Sequence, residues 1–411
     1  MKKEAVAITG VGVLSPIGLD VEGVVDALRT ARSGIDRITT PPTPREFAAG
    51  VVKQDFADAF TRLELPFLDR CQQLAIVSAR QALLEAGIED FSDFGQRAGL
   101  YYGNVNGGAA ATLEWSRQLL VEGKQAARPF AAMAIMSNAG AAQIAIRHKI
   151  FGPVVTHASA CGSSGVALGE AARAIADGYL DVAVAGGAEA PLTAGVLGVF
   201  SGTRAMSGPD GDDVSRTCKP FSRDRTGLVL GEGAAFVVLE AASHAERRGA
   251  TIHGYLTGYG ISSDAHHIGM PAAEGQVRSL QAALDHARLQ PRDIGYLNAH
   301  ATATDGGDVI ESAAIRAVFG DGDDATRVSS TKAVHGHLLG ATSALEFVIT
   351  LLSMRNRVLP ASAHMGEMDP RCKLNHVGPV PLRDVELDHA LSFSCGFGGT
   401  NVALIVSRNP G

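Results

Sequence analysis

The sequence predicts an α/β protein built from two similar halves packed together. Three observations carry that expectation. Strand-like runs alternate with helical ones, the pattern of βαβ units and a mostly parallel sheet. The second half of the chain repeats the style of the first. In both halves, strand-like runs stop at residues able to do chemistry. A length of 411 residues fits two domains or one large merged unit, and the division is expected as 1–250 and 251–411.

The elements follow in order. VAITGVG (6–12) is strand-like, and 65–88 carries apolar residues at helical spacing and stops at Gly87. RAGLYYGN (97–104) is a strand running into a glycine-rich loop, and GPVVTHASAC (152–161) is a strand stopping at Cys161. VALGEAARAIADG (166–178) is an alanine-rich helix closed by Gly178, followed by the strand 181–190. The segment 203–226 is polar and irregular and reads as a long loop. In the second half, 233–249 is strand then helix, 251–265 strand, 274–289 helix, and IGYLNAHAT (294–302) a strand ending at a histidine. ALSFSCGFGGTNVALIVSR (390–408) is strand, glycine turn, strand.

Composition narrows the function. Hydrophobic residues make up 46%, enough for a large core, and no apolar run reaches membrane-spanning length. The N-terminal apolar stretch is broken by Gly10, Gly12 and Pro16, unlike a signal peptide. A net charge of −7 gives no reason to expect nucleic acid. The five cysteines (71, 161, 218, 372 and 395) are scattered and never in CxxC spacing, so reduced thiols in a cytoplasmic protein are expected. GVGVLSPIG lacks the third glycine of a dinucleotide fingerprint, and PDGDD and GDGDD lack calcium-loop spacing. His335 and His337 lack a further ligand set, so no metal is expected.

Cys161 stands at a strand-to-helix junction among Gly162, Ser163, Ser164 and Gly165. Backbone N–H groups and the helix dipole at such a place lower a thiol pKa. Alone, the residue reads as a small side chain filling a tight turn. Two later stretches change that. LNAHATATDGGDVIE puts His300 at a strand end, and SSTKAVHGHLLGATSALE puts Lys332 and His337 around a glycine. A thiol, two imidazoles and an ammonium suit carbon–carbon or acyl-transfer chemistry. The GFGGTN turn offers N–H groups for an oxyanion hole.

Cys161 with its small neighbours, NAHATAT, STKAVHGHLLGA and GFGGTN resemble the four signatures of the β-ketoacyl synthases, elongating type, in the thiolase superfamily. The resemblance runs along the whole chain. It implies a thiolase-like fold layered α-β-α-β-α and a decarboxylative Claisen condensation of an acyl-Cys161 intermediate with a malonyl group on acyl carrier protein. His300 and His337 would donate to the malonyl thioester carbonyl. The N–H groups of Cys161 and Phe397 would form the second oxyanion hole. Lys332 would set the charge of the site and hold Glu346 or His300. Thr302 and Thr304 match the pair that binds the pantetheine arm, Phe397 the gate, and His267 a histidine near the tunnel mouth. Gly396 and Gly398 line the same turn. Asp308 and Glu311 fall where acids support the catalytic loop. Asn298, Glu311 and Glu346 match residues that hold a monovalent cation in some relatives. Phe393 replaces a polar side chain there, so no ion and no cofactor are assigned.

Some positions depart from the pattern. Cys395 replaces the usual phenylalanine, which widens the expected route to Cys161. HAT stands for HGT, and ACGSSG matches neither the fatty-acid nor the polyketide form. Arg70, Lys124, Arg128 and Arg204 remain as candidates to dock a carrier protein. Fatty-acid and discrete polyketide or polyene pathways therefore both stay open. The implied assembly is a homodimer or a heterodimer with a related subunit, with 135–138 lending residues to the partner's pocket. The competing readings are a non-catalytic chain-length subunit, which would usually lack the cysteine, and a thiolase, which needs a second catalytic cysteine near the place of Cys395.

Overall fold

The computed structural model describes residues 4–41, 45–127 and 129–410. Arg128 lies outside the described residues. The chief feature is one ten-stranded sheet. Its strands are β1 (Val6–Leu14), β2 (Ala98–Gly103), β3 (Val154–His157), β4 (Val182–Glu189), β5 (Gly233–Ala241), β6 (Gly254–Ser263), β7 (Tyr296–Asn298), β8 (Arg327–Ser329), β9 (His389–Cys395) and β10 (Thr400–Ser407). Their order is β3-β2-β4-β5-β1-β6-β10-β9-β7-β8. Read outward from the centre, β1-β5-β4-β2-β3 and β6-β10-β9-β7-β8 are the same arrangement. A short β1–β6 ladder, Ala7 to Tyr255 and Ile8 to Gly254, joins them.

The expectation of a mostly parallel sheet is corrected. β2 runs parallel to β3 and β4, and β7 parallel to β8 and β9. The remaining pairs are antiparallel. The turn 396–399 is too short for a parallel crossover, which needs a dozen residues or more, so β9 and β10 must be antiparallel.

Five helices complete the layers: α1 (Arg70–Ala86), α2 (Ser163–Ala176), α3 (Ala273–Ala287), α4 (Asp305–Phe319) and α5 (Thr342–Asn356). α1 covers the outer face of the first half-sheet, and α3 covers that of the second. α2 and α5 touch strands of both halves and each other. They form the middle of an α-β-α-β-α stack. α5 is buried from Thr342 to Met354, as a helix in the middle of a protein must be.

Close packing explains a pair of glycine motifs. Thr9-Gly10-Val11-Gly12 in β1 recurs as Thr257-Gly258-Tyr259-Gly260 in β6. A Cβ on Gly12 would lie 1.9 Å from the Ser78 carbonyl oxygen of α1, and one on Gly260 would lie 2.0 Å from that of Ser279 in α3. Each glycine pair lets a helix backbone lie against its strand.

Three element ends differ from expectation. α1 begins at Arg70 rather than 65, because Asp69 and Gln72 form a capping box. β3 ends at His157, because Ala160 turns the chain with φ 48°. β7 ends two residues before His300, whose N–H leaves the ladder for Glu311.

Candidate active site

The nucleophile turn is built from its small residues. Cys161 sits in a tight turn, Ala160–Gly162, directly before α2. Ala160 is left-handed without being glycine, a strained conformation held by its surroundings. The Ser163 hydroxyl donates to the Ala160 carbonyl at 2.6 Å and accepts from the Ser159 N–H at 2.9 Å. Ser164 accepts from the Ala344 N–H of α5, and the Ser343 hydroxyl donates to the Cys161 carbonyl at 2.8 Å. Ser164 and the Cys161 carbonyl thus tie the two middle helices together.

His337 arrives from the second half with its backbone fixed. Its N–H donates to the Val229 carbonyl at 2.7 Å, and its carbonyl accepts from the Gly231 N–H at 2.9 Å. Its Nε2 lies 3.0 Å from Cys161 Sγ, and its Nδ1 lies 3.1 Å from Thr342 Oγ1. The same oxygen accepts from the Leu338 N–H at 2.9 Å. His300 packs edge-on to His337, with ring centroids 5.2 Å apart. The Cys161 sulfur and one nitrogen of each histidine lie within 4.8 Å of one another.

Electrostatics set the protonation states. Burial, then the charge of Lys332, holds both His300 and His337 well below the usual imidazole range. Both rings are therefore neutral near pH 7, each with one N–H to give. Burial pushes the Cys161 thiol up to about 11. The expected lowering is therefore corrected. The Phe397 N–H, Lys332 and the Cys161 N–H each favour the thiolate, but loss of water outweighs them.

Lys332 is fully buried and donates to Glu346 Oε1 at 2.5 Å. Of its two expected partners, it bonds Glu346. Glu311 accepts from the N–H groups of His300 and Ala301, at 2.6 and 2.7 Å. Asp308 accepts from the Phe221 N–H at 2.9 Å and touches no member of the cysteine–histidine group. Asn298 bonds Thr331, and Phe393 is packed in the second half's core. Asn298 Oδ1 lies 3.4 Å from Thr331 Oγ1, and Glu346 Oε2 is buried without a hydrogen-bond partner. His335 spends both ring nitrogens on Gly336 and Thr331 and does not pair with His337.

A cavity of about 280 Å³ leads to the sulfur. Thr302, Thr304, His267, Cys395, Gly396, Phe397 and Gly398 all line it, together with Cys161, His300 and His337. The Thr302 and Thr304 hydroxyls lie 3.2 Å apart. Phe397 is 48% exposed. His267 is also exposed, and its Nδ1 accepts from the Gly269 and Met270 N–H groups. A Cβ on Gly396 would stand 3.2 Å from the Cys161 nitrogen, so the β9 end lies directly against the nucleophile turn. Sequence reasoning missed Phe200, Leu228, Gln276 and Ile310 in the wall. It also missed the Thr342 hydroxyl. No motif marks the wall residues. Thr342 sat in view, in the helix-start pattern of LLGATSALE.

The family model "Beta-ketoacyl synthase, N-terminal domain" matches residues 3–245, and "Beta-ketoacyl synthase, C-terminal domain" matches 253–366. The chain belongs to the β-ketoacyl synthase family. This synthase is 36% identical to a 3-oxoacyl-[acyl-carrier-protein] synthase 2 of Staphylococcus aureus, over 99% of each chain. It is equally 36% identical to the enzyme of that name from Coxiella burnetii, over 99% of each chain. Among solved structures, the ishigamide ketosynthase/chain length factor matches with a TM-score of 0.92 and 31% identity, over 99% of this chain and 100% of that one. A β-ketoacyl synthase from Burkholderia phymatum matches with a TM-score of 0.91 and 32% identity, over 99% and 100%. No helix among the described residues is long and apolar enough to cross a membrane.

Proposed function

We propose that this synthase elongates acyl chains by decarboxylative condensation with malonyl-acyl carrier protein. The observation that carries the reading is the convergence of Cys161, His300 and His337 at the end of one cavity. Cys161 attacks the thioester carbonyl of the incoming acyl carrier. The acyl group moves to Sγ, and the thiol proton leaves with the freed pantetheine thiol. Malonyl-carrier then enters, and its carboxylate departs as carbon dioxide. The electron pair of the broken bond passes to the thioester as an enolate. Neutral His300 and His337 each offer an N–H to that oxygen in a site shielded from water. The enolate carbon attacks the acyl-Cys161 carbonyl, whose oxygen is received by the Cys161 and Phe397 N–H groups. Collapse releases the β-ketoacyl product and a Cys161 thiolate that takes a proton from solvent.

Burial keeps both imidazoles neutral, and Lys332, paired to Glu346, adds to that through its charge. Glu311 holds the His300 loop at His300 and Ala301, and Asp308 holds it further on, at Ala303 and Thr304. Presence of the cysteine and both histidines favours catalysis over a chain-length subunit, and GFGGTN with the histidine pair favours a synthase over a thiolase. The carrier protein docks near the cavity mouth, where exposed Arg204 stands beside Ala205. Arg70 is turned to Glu232 at 3.2 Å and Lys124 to Glu122 at 3.0 Å, so neither is a free docking charge. Exposed Phe130, Met133 and Met136, with exposed Phe151 just before the edge strand β3, support a dimer with a like or related subunit.

The test is mass spectrometry of carrier-bound products, using acyl-carrier and malonyl-carrier thioesters. The parent should yield a chain longer by two carbons. Cys161→Ala should form no acyl-enzyme and no elongated product, while still releasing carbon dioxide from malonyl-carrier. Elongation by Cys161→Ala would overturn the assignment.

A further inference from the structure

The two-fold repeat of the fold places a counterpart of the nucleophile turn in the second half. Ala160-Cys161-Gly162 precedes α2, and Leu339-Gly340-Ala341 precedes α5 as an identical kind of turn. Ala160 and Leu339, the first residue of each, are both left-handed, with φ 48° and 45°. Gly340 therefore stands where Cys161 stands. The loops after β2 and β7 also correspond. Consecutive N–H groups of His300 and Ala301 are held by the Glu311 carboxylate, and those of Val105 and Asn106 by Glu189.

Glu189 is the last residue of β4 and is fully buried. Its Oε2 accepts from the Val105 and Gly340 N–H groups at 3.0 and 3.1 Å. Its Oε1 accepts from the Asn106 N–H and side-chain amide at 3.0 and 3.1 Å. Four donors and no acceptor surround it, which is a cage for a carboxylate. A Cβ on Gly340 would lie 2.8 Å from Oε2 and 3.0 Å from the Val105 nitrogen, so the approach needs a glycine. The clamped turn has His337 on one side and Thr342 and Ser343 on the other. These are the residues that touch the Cys161 sulfur, the His337 ring and the Cys161 carbonyl.

We infer that Glu189 is a positioning residue for His337, holding the 338–341 turn so that the imidazole meets Cys161. The inference rests on the condensation reading for its catalytic consequence, and on geometry alone for the coupling. In Glu189→Gln one oxygen becomes an NH2 group. With the NH2 at the Oε2 position, the Val105 and Gly340 N–H groups face a donor; with it at the Oε1 position, the Asn106 N–H does, and Gly340 then bonds a neutral amide oxygen, a weaker acceptor than a carboxylate.

The experiment compares the parent, Glu189→Gln, Gly340→Ala and the double variant. Each is measured for melting temperature, Cys161 alkylation by iodoacetamide at one pH, and condensation kinetics. Each single variant should change the alkylation rate constant by about threefold or more and lower kcat by about tenfold, with KM for the acyl-carrier within about twofold. The double variant should be no worse than the poorer single, because both break one contact. A merely structural role would lower the melting temperature and leave both rate constants of the folded enzyme unchanged. Folded Glu189→Gln with parental alkylation and kcat overturns the inference, as do losses that multiply in the double variant. Should Glu189→Gln fail to fold, Gly340→Ala with a parental alkylation rate overturns it. A parent that makes no β-ketoacyl product defeats the condensation reading instead, since alkylation needs no acyl substrate.

Discussion

Replacing Thr342 with valine removes one hydroxyl and almost no volume. That oxygen accepts from the Leu338 N–H at 2.9 Å and lies 3.1 Å from His337 Nδ1. The site is fully buried, so water cannot substitute. A buried N–H left without a partner costs about 1–3 kcal/mol. Unfolding entropy of roughly 2.1 cal/mol/K per residue over this chain turns that cost into a melting shift of about 1–4 °C. The rate effect comes from His337, which loses the group that fixes its ring. An orienting hydrogen bond of about 1.4 kcal/mol corresponds to a tenfold loss in kcat. Outright loss of a transition-state donor sets a ceiling of about 10²–10³. Thr342→Val should therefore lose between those limits in condensation and in malonyl decarboxylation alike, while acyl transfer to Cys161 is less affected. Stopped assays of carbon dioxide release and of acyl-enzyme formation separate the two. A folded variant with decarboxylation within about twofold of the parent would refute the reasoning.

Three further outcomes are expected. Because burial lifts the Cys161 thiol to about 11, its alkylation rate should climb about tenfold per pH unit between pH 7 and 9. A plateau below pH 8 would show a thiol already ionised. Cys395→Phe fills cavity wall next to the nucleophile turn and should shorten the range of acyl chains accepted, read by mass spectrometry of products. An unchanged chain-length profile would defeat the widened route. Gly103→Ala puts a Cβ 2.2 Å from the Ser164 backbone nitrogen, and neither strand nor helix can give way. It should cost several kcal/mol and show as a large fall in melting temperature or in folded yield, and a parental melting curve would refute the contact.

How much was legible depended on whether a signal was local. Alternation, helix periods and caps lie within a few residues, so most elements were read within two or three positions. The boundaries that moved did so for partners elsewhere in the chain. His300 leaves its strand because Glu311, a turn further along α4, takes its N–H. The duplication was written openly in Thr9-Gly-Val-Gly and Thr257-Gly-Tyr-Gly, but only the strand order shows that the two motifs do the same work.

By itself the sequence determined the α/β architecture, its two halves, and the residue types of the chemistry: one thiol, two imidazoles, one ammonium and a glycine turn. Those follow from short-range pattern and composition. Only the tertiary structure decided how they meet. Cys161 and His337 are 176 positions apart and lie 3.0 Å from each other, because α2 and α5 cross between the two half-sheets. It also decided the ionisation of the site. Position at a helix start argued for a low thiol pKa, and burial, which no local pattern reports, raised it. The glycines and serines beside Cys161 were opaque for the same reason. Ser163 bonds within its own turn, but Gly162, Ser164 and Gly165 meet Ser343, Ala344 and Val402, in the other half of the chain.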